Sequence, residues 1–528
     1  MVFVMTTPKP PVFTREATGL IREVGAWPSF MAVLTLVTGG VPVLWVSLMY
    51  TAPGANWGLA FFIAFLPTLL MAGLFTVIGA SMPRSGGDYV FTTRGLNSVV
   101  GFVNYFGVAA AFIISLGIYS FYGGSYTAYL LSGLGAYFHD AGLANLGAYL
   151  TTTNPSFVLA VVIIVISLLL SIMRPRYAWG VVLWSGIITV VATVVMYVAL
   201  SGINAAGFAA SYNSFMGNAT AYNAVIKLGG VVPPASPLLA TSAALPFVWY
   251  SYTWYNLPTS WSGEMKNVKK SMPIAIMLAI TVVAAYYIML TVIVTRAFGQ
   301  PFLDNWSSLA ASGTAPISGI GGFVPFFALL YYKNVPLYFV MFLALWVPEI
   351  FSLPPLLISQ TRYVFAWSFD RILPDKMASV SERTHTPIIA SIVVSIGGLI
   401  GAMAMAFLQN SGEFATLSFA MFSFGFIIPA IAAIVFPFRK KQIYETAFIA
   451  KKKFILPLIS WLGLGSGVYL VYSTILSYQS GSLPIDSFSL SMFGIIYGLA
   501  VVIYVVAYVR NLRRGLPLGL VFKEIPPE

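Results

Sequence analysis

The chain has 528 residues, only 8% of them charged, and a mean hydropathy of +0.88. A string of soluble domains is excluded, because apolar runs of about 20 residues, each long enough to cross a bilayer, recur along nearly the whole length. The net charge of +12 comes from basic residues dispersed among loops, which fits a membrane protein better than a nucleic-acid-binding protein. With no cysteine, the chain forms neither disulfides nor a thiolate metal site.

We predict an all-α polytopic membrane protein with twelve transmembrane helices. The predicted spans are residues 27–50, 57–80, 99–122, 157–173, 177–200, 240–260, 272–294, 336–359, 387–407, 414–437, 456–478 and 488–508. Two long segments rich in Gly, Ser, Pro and Asn, 201–239 and 298–335, are predicted external loops.

This prediction divides the chain into regions around two five-helix halves. In order they are an amphipathic N-terminal segment (1–26), the first half (27–200), an external loop (201–239), the second half (240–437), a basic loop (438–455), helices eleven and twelve (456–510), and a tail (511–528).

The distribution of basic residues predicts the orientation in the membrane. Of the 27 Lys and Arg residues, all but Lys227, Arg296 and Lys333 fall on the side that holds both termini. Because Lys and Arg accumulate in cytoplasmic loops, we expect both termini in the cytoplasm and the chain in the cell membrane. Residues 1–26 lack the apolar core of a cleavable signal peptide.

The first predicted span is interrupted near its centre by Thr38, Gly39, Gly40, Val41 and Pro42. Glycine lowers helix propensity, and proline removes a backbone donor. One interpretation is an ordinary kink, since both residue types are common in membrane helices. The other is a broken helix whose backbone reaches a ligand, as in many secondary transporters.

The sixth predicted span carries a second interruption, where aromatic and hydroxyl residues appear at bilayer depth. Polar groups in hydrocarbon cost free energy unless protein or a water-filled cavity satisfies them, so a tightly packed helix is the alternative interpretation. The first and sixth spans hold corresponding positions in the two halves, and such paired interruptions favour a transporter site. The polar run is Tyr250, Ser251, Tyr252 and Thr253, and a charged cluster of Glu264, Lys266, Lys269 and Lys270 follows it.

Three stretches on the predicted cytoplasmic side carry recognisable motifs. They are residues 82–89 (MPRSGGDY), 262–276 (beginning SGEMKN) and 362–387 (beginning RYVFA and containing DRILPDK), and a leader at 14–24 (TREATGLIREV) precedes them. In this order and topology they resemble the amino acid–polyamine–organocation (APC) permease superfamily, prokaryotic amino acid permease type. The resemblance covers roughly residues 15–440.

The resemblance implies a leucine-transporter-like fold, with two inverted five-helix repeats followed by two further helices. The substrate would lie between the breaks of the first and sixth spans, with its carboxylate on free helix N-terminal amides and its amino group on carbonyl ends and side chains. By position, the implied substrate-binding residues are Thr38, Gly39, Gly40, Val41, Tyr250, Ser251, Tyr252 and Thr253.

The chain departs from this family pattern at two places. Trp254 stands where the family commonly has glycine in the sixth-span break, which leaves the shape of the pocket and the identity of the substrate open. The fifth span lacks the lysine that some proton-coupled relatives carry there.

Glu349 is the one ionisable residue that we place well inside a span. A charge at the bilayer centre costs about 2.5–3.5 kcal/mol on insertion scales, and such residues usually mark function. Burial disfavours the ionised carboxylate, so Glu349 could load and release a proton. Ser352 lies on the same helix face, and in the implied fold this span packs near the first-span break, where sodium-coupled relatives hold an ion. Glu349 could also merely bond a neighbouring helix, but we favour a proton carrier over a cation ligand.

The predicted function is secondary active transport of amino acids by alternating access, and we favour coupling to protons. The alternative is a sodium-coupled or exchange-type transporter of another small amine or organic cation, such as a polyamine. A membrane enzyme is less favoured, because His139 and His385 lie in loops on opposite sides and no metal-ligand or nucleophile cluster is visible. A channel lacks a filter-like repeat. We therefore expect no cofactor, no metal and no nucleic-acid partner.

Overall fold

The computed structural model describes residues 17–408, 421–446, 455–479, 487–516 and 518–526, which form helices and turns without a named β-strand. Ten helical segments within them are long and apolar enough to cross a membrane. The prediction of an all-α polytopic membrane protein is therefore confirmed. In chain order the segments are Ala26–Ser47, Trp57–Ser81, Ser98–Phe138, Thr153–Ile172, Pro175–Ser201, Val268–Phe298, Val335–Phe369, Ile388–Phe407, Met421–Arg439 and Ser487–Arg513.

Shorter helices lie at the two remaining predicted spans. Pro237–Ser251, of 15 residues, stands at the sixth span. Ile455–Gln479 stands at the eleventh, with its apolar part at Ile455–Tyr469. The predicted start of the tenth span, at residue 414, lies outside the described residues, as do residues 1–16 of the N-terminal segment and residues 447–454 of the basic loop. The exact count of twelve stays a prediction, and ordinal numbers below refer to the predicted spans.

The first span is broken where the sequence predicts an interruption. One helix, Ala26–Thr38, ends at Gly39, and a second, Val41–Ser47, begins directly after Gly40. Pro42 lies in the first turn of the second helix, where a missing N–H breaks no intrahelical bond. Proline therefore starts the second helix here instead of kinking a continuous one.

The sixth span differs from the predicted helix over 240–260. Its α-helix ends at Ser251, and turns with short 3₁₀ helices at Leu257–Thr259 and Ser262–Glu264 follow. Trp254 has a φ of 76°, in the left-handed region that a helix does not contain. The helix therefore ends inside the polar run of residues 250–253 that the sequence singles out, and the buried turns after it occupy the rest of the predicted span.

The helix assignment of the eighth span is interrupted at Ser352, which separates two helical halves. The prolines that follow, Pro354 and Pro355, lack the N–H groups that would continue the helical ladder across this residue. Glu349 lies in the last turn before it. The halves are Val335–Phe351 and Leu353–Phe369.

The segments predicted as external loops contain helices that pack through aromatic rings. The ring of Phe208 lies 4.8 Å from that of Phe298 and 5.3 Å from that of Phe302, measured between centroids. The Gly, Ser, Pro and Asn content of these two segments correctly predicts that no transmembrane helix forms there. It does not predict the short helices that pack together as a folded cap. Its helices are Ala205–Phe215, Ala221–Gly229, Gln300–Ala311 and Val324–Tyr332. Further connecting helices are Gly87–Gly95, Ala141–Leu150, Lys441–Thr446 and Leu518–Val521.

Candidate functional site

Glu349 lies directly against the break in the first span. A Cβ atom placed on Gly39 would be 3.0 Å from Glu349 Oε2, and one placed on Gly40 would be 3.2 Å from the same oxygen. The eighth-span carboxyl group therefore approaches the first-span backbone as closely as glycine allows. The missing side chains at Gly39 and Gly40 make room for this contact.

The Glu349 carboxyl group is buried and only partly satisfied. The residue is 1% exposed, and its Oε1 has no hydrogen-bond partner within the described chain. None of the ion pairs between described residues includes it. A buried carboxyl group without a cation has to be neutralised by a proton or by a bound cation.

Tyr287 of the seventh span connects the two interrupted spans. Its hydroxyl group donates to the carbonyl of Ser251 at 3.1 Å and also contacts the carbonyl of Val37. Ser251 is the last residue of the sixth-span helix, and Val37 lies in the last turn before the first-span break. The two breaks are therefore held side by side.

Three aromatic residues from the third and sixth spans stand beside the first-span break, and we call Tyr119, Tyr250 and Trp254 the aromatic wall. The hydroxyl groups of Tyr119 and Tyr250 are 3.3 Å apart. The Trp254 ring lies edge-on to both, at centroid distances of 4.9 Å and 5.9 Å. The Tyr119 ring would be 3.4 Å from a Cβ on Gly40, so the aromatic wall and Glu349 meet at this glycine.

Trp254 adopts a backbone conformation that glycine adopts freely. Holding a non-glycine residue in the left-handed region costs on the order of 1–2 kcal/mol. This finding explains the departure noted in the sequence, since the family commonly places glycine here. The strain is retained because the indole ring completes the aromatic wall, although its Nε1 has no hydrogen-bond partner within the described residues.

The structure brings four of the predicted site residues together and directs the others elsewhere. Gly39, Gly40, Tyr250 and Glu349 form one cluster. The Tyr252 hydroxyl group instead donates to the carbonyl of Phe61 in the second span. Val41 is buried at the start of its helix. The hydroxyl groups of Thr38, Ser251, Thr253 and Ser352 all donate to backbone carbonyls within their own spans.

The sequence analysis missed three tyrosines of this region. Tyr119, Tyr126 and Tyr287 lie in otherwise apolar spans, where a tyrosine is as easily a packing residue as a site residue. The Tyr126 hydroxyl group reaches the Gly39 carbonyl at 3.5 Å. The signal that could have found them is a phenol at mid-span depth, since a buried hydroxyl group needs a partner.

The three sequence motifs meet on the predicted cytoplasmic side. Arg362 forms a two-bond ion pair with Glu264, at 2.6 Å and 2.7 Å. Arg94 forms a second pair with Asp370, with both bonds at 2.6 Å. These buried pairs join the segments after the second, sixth and eighth spans.

Asp88 of the first motif is buried in the same region without a cation partner among the described residues. Its two carboxyl oxygens accept from the Tyr363 hydroxyl group at 2.9 Å and 2.8 Å. Burial raises the pKa of Asp88 from 3.8 to about 6, although the hydrogen bonds from Tyr363 and Thr259 oppose the rise. The Tyr363 hydroxyl group therefore takes the place that a cation would have beside this carboxyl group in the described structure.

No group of three or more His, Cys, Asp or Glu side chains within the described ranges could hold a metal ion. The groups that this arrangement presents are backbone groups at two helix breaks, one carboxyl group and aromatic ring faces.

The comparisons with known proteins agree on one class. The profile of the family described as "Amino acid permease" matches residues 24–506. The branched-chain amino acid permease BcaP of Bacillus subtilis (strain 168) is 25% identical over 438 residues, which cover 80% of this chain and 82% of that protein. Cationic amino acid transporter 4 of Mus musculus is 24% identical over 377 residues, 70% of this chain and 53% of that protein. A methylthioribose transporter of Bacillus subtilis (strain 168) is 24% identical over 259 residues, 43% of this chain and 49% of that protein.

Proposed function

Because the chain belongs to the amino acid permease family, we propose that it is a secondary active transporter that moves amino acids by alternating access and couples them to protons through Glu349. The family match confirms the resemblance to this superfamily that the sequence motifs indicate. It also confirms the prediction that the protein is a transporter and not an enzyme. The substrate, the coupling ion and the transport cycle are the proposal. The observation that carries it is the contact of Glu349 with Gly39 and Gly40.

The proposed position of the substrate carboxylate is the first-span break. Backbone N–H groups at the start of Val41–Ser47 are free of intrahelical partners, and the helix dipole favours an anion there. A carboxylate bound at Gly40 would lie beside Glu349, and two like charges in a buried site disfavour each other. Substrate binding would therefore favour the neutral, protonated form of Glu349, which links uptake of the substrate to uptake of a proton.

The proposed position of the substrate side chain is the aromatic wall. Tyr119, Tyr250 and Trp254 offer ring faces and edges that suit an aliphatic or aromatic side chain. The name of one relative, a branched-chain amino acid permease, is consistent with such a substrate.

In the proposed orientation both termini lie in the cytoplasm, and the inverted repeat supplies the two broken spans.

A second candidate function is transport of a small organic cation by sodium coupling or by exchange. The unpartnered Glu349 Oε1 favours it, because a carboxylate beside aromatic rings also suits an ammonium group. Cationic amino acid transporter 4 is among the relatives by name. The two candidates place opposite demands on Glu349: a zwitterionic substrate needs it protonated, whereas a cation needs it ionised.

Uptake into proteoliposomes separates the candidates. Purified protein should take up labelled leucine, and unlabelled leucine and isoleucine should compete with it, whereas arginine and spermidine should compete weakly. Stronger competition by arginine or spermidine than by isoleucine would favour the cation transporter. Absence of uptake of every labelled amino acid by folded protein would contradict the proposed function.

A further inference from the structure

An open groove at the end of the twelfth span combines an apolar wall with a cluster of arginines. It has a volume of about 490 Å³. We call it the arginine groove, and its lining residues are Val505, Val506, Val509, Arg510, Arg513 and Arg514. In the sequence, the residues of this groove lie far from those of the candidate transport site, and none of them belongs to that site.

The apolar wall of the arginine groove faces the lipid. In the twelfth span, Ser487–Arg513, only 17% of the most apolar window is buried in the protein. Val505 and Val506 are 52% and 59% exposed. A valine surface of this kind at the end of a transmembrane helix contacts acyl chains.

The polar end of the groove is held in place by the segment after the eighth span. Arg510 donates through Nη2 to the carbonyl of Arg371 at 2.7 Å, and Asn511 donates to the same carbonyl at 2.9 Å. Arg371 has a φ of 64°, which is unusual for a residue with a side chain. The arginines therefore stand on a fixed corner and not on a frayed helix end.

Several arginine side chains lie close together at this corner. Within the described chain, no acidic side chain forms an ion pair with Arg510, Arg513 or Arg514. Burial lowers the pKa of Arg371. Asp375 raises that pKa, whereas the positive charges of Arg514 and Arg510 lower it. Arg371, Arg510 and Arg514 are therefore close enough to repel one another, and a bound anion would relieve this repulsion.

We propose that the arginine groove binds an anionic phospholipid, with its phosphate on Arg513 and Arg514 and its acyl chains along Val505, Val506 and Val509. Both arginines are exposed at the end of a membrane helix, at the depth where headgroups lie. A guanidinium group can donate two parallel hydrogen bonds to phosphate oxygens. A zwitterionic headgroup should bind the two arginines less tightly, because its own ammonium group already offsets the phosphate charge. A general excess of basic residues on one side of the membrane would not require these arginines to lie beside the valine wall of the arginine groove.

Binding can be measured with the full chain in nanodiscs of phosphatidylcholine that contain a minor share of phosphatidylglycerol. Native mass spectrometry counts the lipids that stay bound after the nanodisc is removed. Wild-type protein should retain phosphatidylglycerol in preference to phosphatidylcholine. The double variant Arg513→Gln/Arg514→Gln should lose roughly tenfold or more of that preference, since each basic residue near the surface contributes to anionic-lipid binding.

The matched control is Lys269→Gln/Lys270→Gln, which removes the same charge from exposed residues on the same predicted side. This control should keep the wild-type preference. Equal loss in both double variants, or none in either, would overturn the proposal, because the attraction would then not belong to the groove. Displacement of the lipid by soluble glycerol phosphate at equal concentration would also overturn it, since the valine wall would then contribute nothing. Because the side chains of Arg513 and Arg514 make no hydrogen bond within the described residues, both variants should fold.

Discussion

The Arg362 guanidinium group and the Glu264 carboxylate form an ion pair that is almost completely excluded from solvent, with side-chain exposures of 2% and 1%. The pair joins the eighth span to the turns after the sixth. In a transporter that works by alternating access, a connection of this kind on one side of the site has to break when that side opens. Opening of the predicted cytoplasmic side would therefore require the Arg362–Glu264 pair to break.

We expect Glu264→Gln to destabilise the protein by about 3–5 kcal/mol, because it leaves the Arg362 charge buried without its partner. The matched control is Glu445→Gln, which removes the partner of Lys441 from a pair 3.9 Å long with exposures of 76% and 60%. That change should cost about 1 kcal/mol or less. Thermal unfolding in detergent measures both, and equal losses would show that the Arg362–Glu264 pair does not stabilise this conformation.

Gly39→Ala tests the contact between the first-span break and Glu349. The new methyl group would lie 3.0 Å from Glu349 Oε2 and 3.3 Å from the Thr35 carbonyl, so either the carboxyl group or the helix has to move. We expect affinity for substrate to fall about tenfold, or about 1.4 kcal/mol. Gly498→Ala is the control, since a Cβ there meets nothing within 4 Å. Binding by both variants at wild-type affinity would place the substrate elsewhere.

Tyr119→Leu tests the aromatic wall. It removes the hydroxyl contact with Tyr250 and the ring against Trp254, and we expect the KM for leucine uptake to rise about tenfold, or about 1.4 kcal/mol. Tyr122→Leu, on the same helix with a 48% exposed side chain, serves as the control. A larger effect at Tyr122 than at Tyr119 would contradict the assignment of the aromatic wall to the substrate.

The raised pKa of Asp88 predicts how the stability of the folded protein depends on pH. Since its pKa in the folded protein, about 6, lies above 3.8, its protonation favours the folded state. The contribution is complete below about pH 4 and is lost as the pH rises through about 6. Asp88→Asn removes this titration and should stabilise the protein at pH 7 by at most about 3 kcal/mol, because the amide remains neutral.

The check is thermal unfolding between pH 4 and pH 7. The wild-type melting temperature should fall across this range more than that of Asp88→Asn. Glu445→Gln, which removes one exposed carboxylate, should follow the wild type. Parallel curves for wild type and Asp88→Asn would show that Asp88 does not titrate in this range.

Sequence reasoning located the features that depend on a residue's intrinsic chemistry. Gly39, Gly40 and Pro42 mark the first-span break because no other residues interrupt a helix so strongly. Glu349 marks the site because a carboxyl group inside a span is rare. The charge motifs at 82–89 and 362–387 are local patterns, and they do meet in the structure through Asp88 and Tyr363.

Features that depend on packing between distant spans were not predictable. Tyr287 joins the two breaks only because the seventh span packs beside both, and its sequence neighbours do not indicate this. The sixth-span helix ends at Ser251 because the following backbone turns left-handed at Trp254, a residue type that gives no turn signal. The side-chain bonds of Ser251 and Ser352 to their own helix carbonyls likewise follow from rotamers, not from sequence spacing.

The proposed role of Glu349 as carrier of the coupling proton is tested by accumulation of leucine in proteoliposomes under an imposed proton gradient. With the exterior acidic, the wild type should accumulate leucine above equilibrium, and Glu445→Gln should match it. Glu349→Gln keeps shape and hydrogen bonding but cannot titrate, so it should lose gradient-driven accumulation and retain leucine exchange. Undiminished accumulation by Glu349→Gln, or an equal requirement for sodium in both proteins, would contradict the claim.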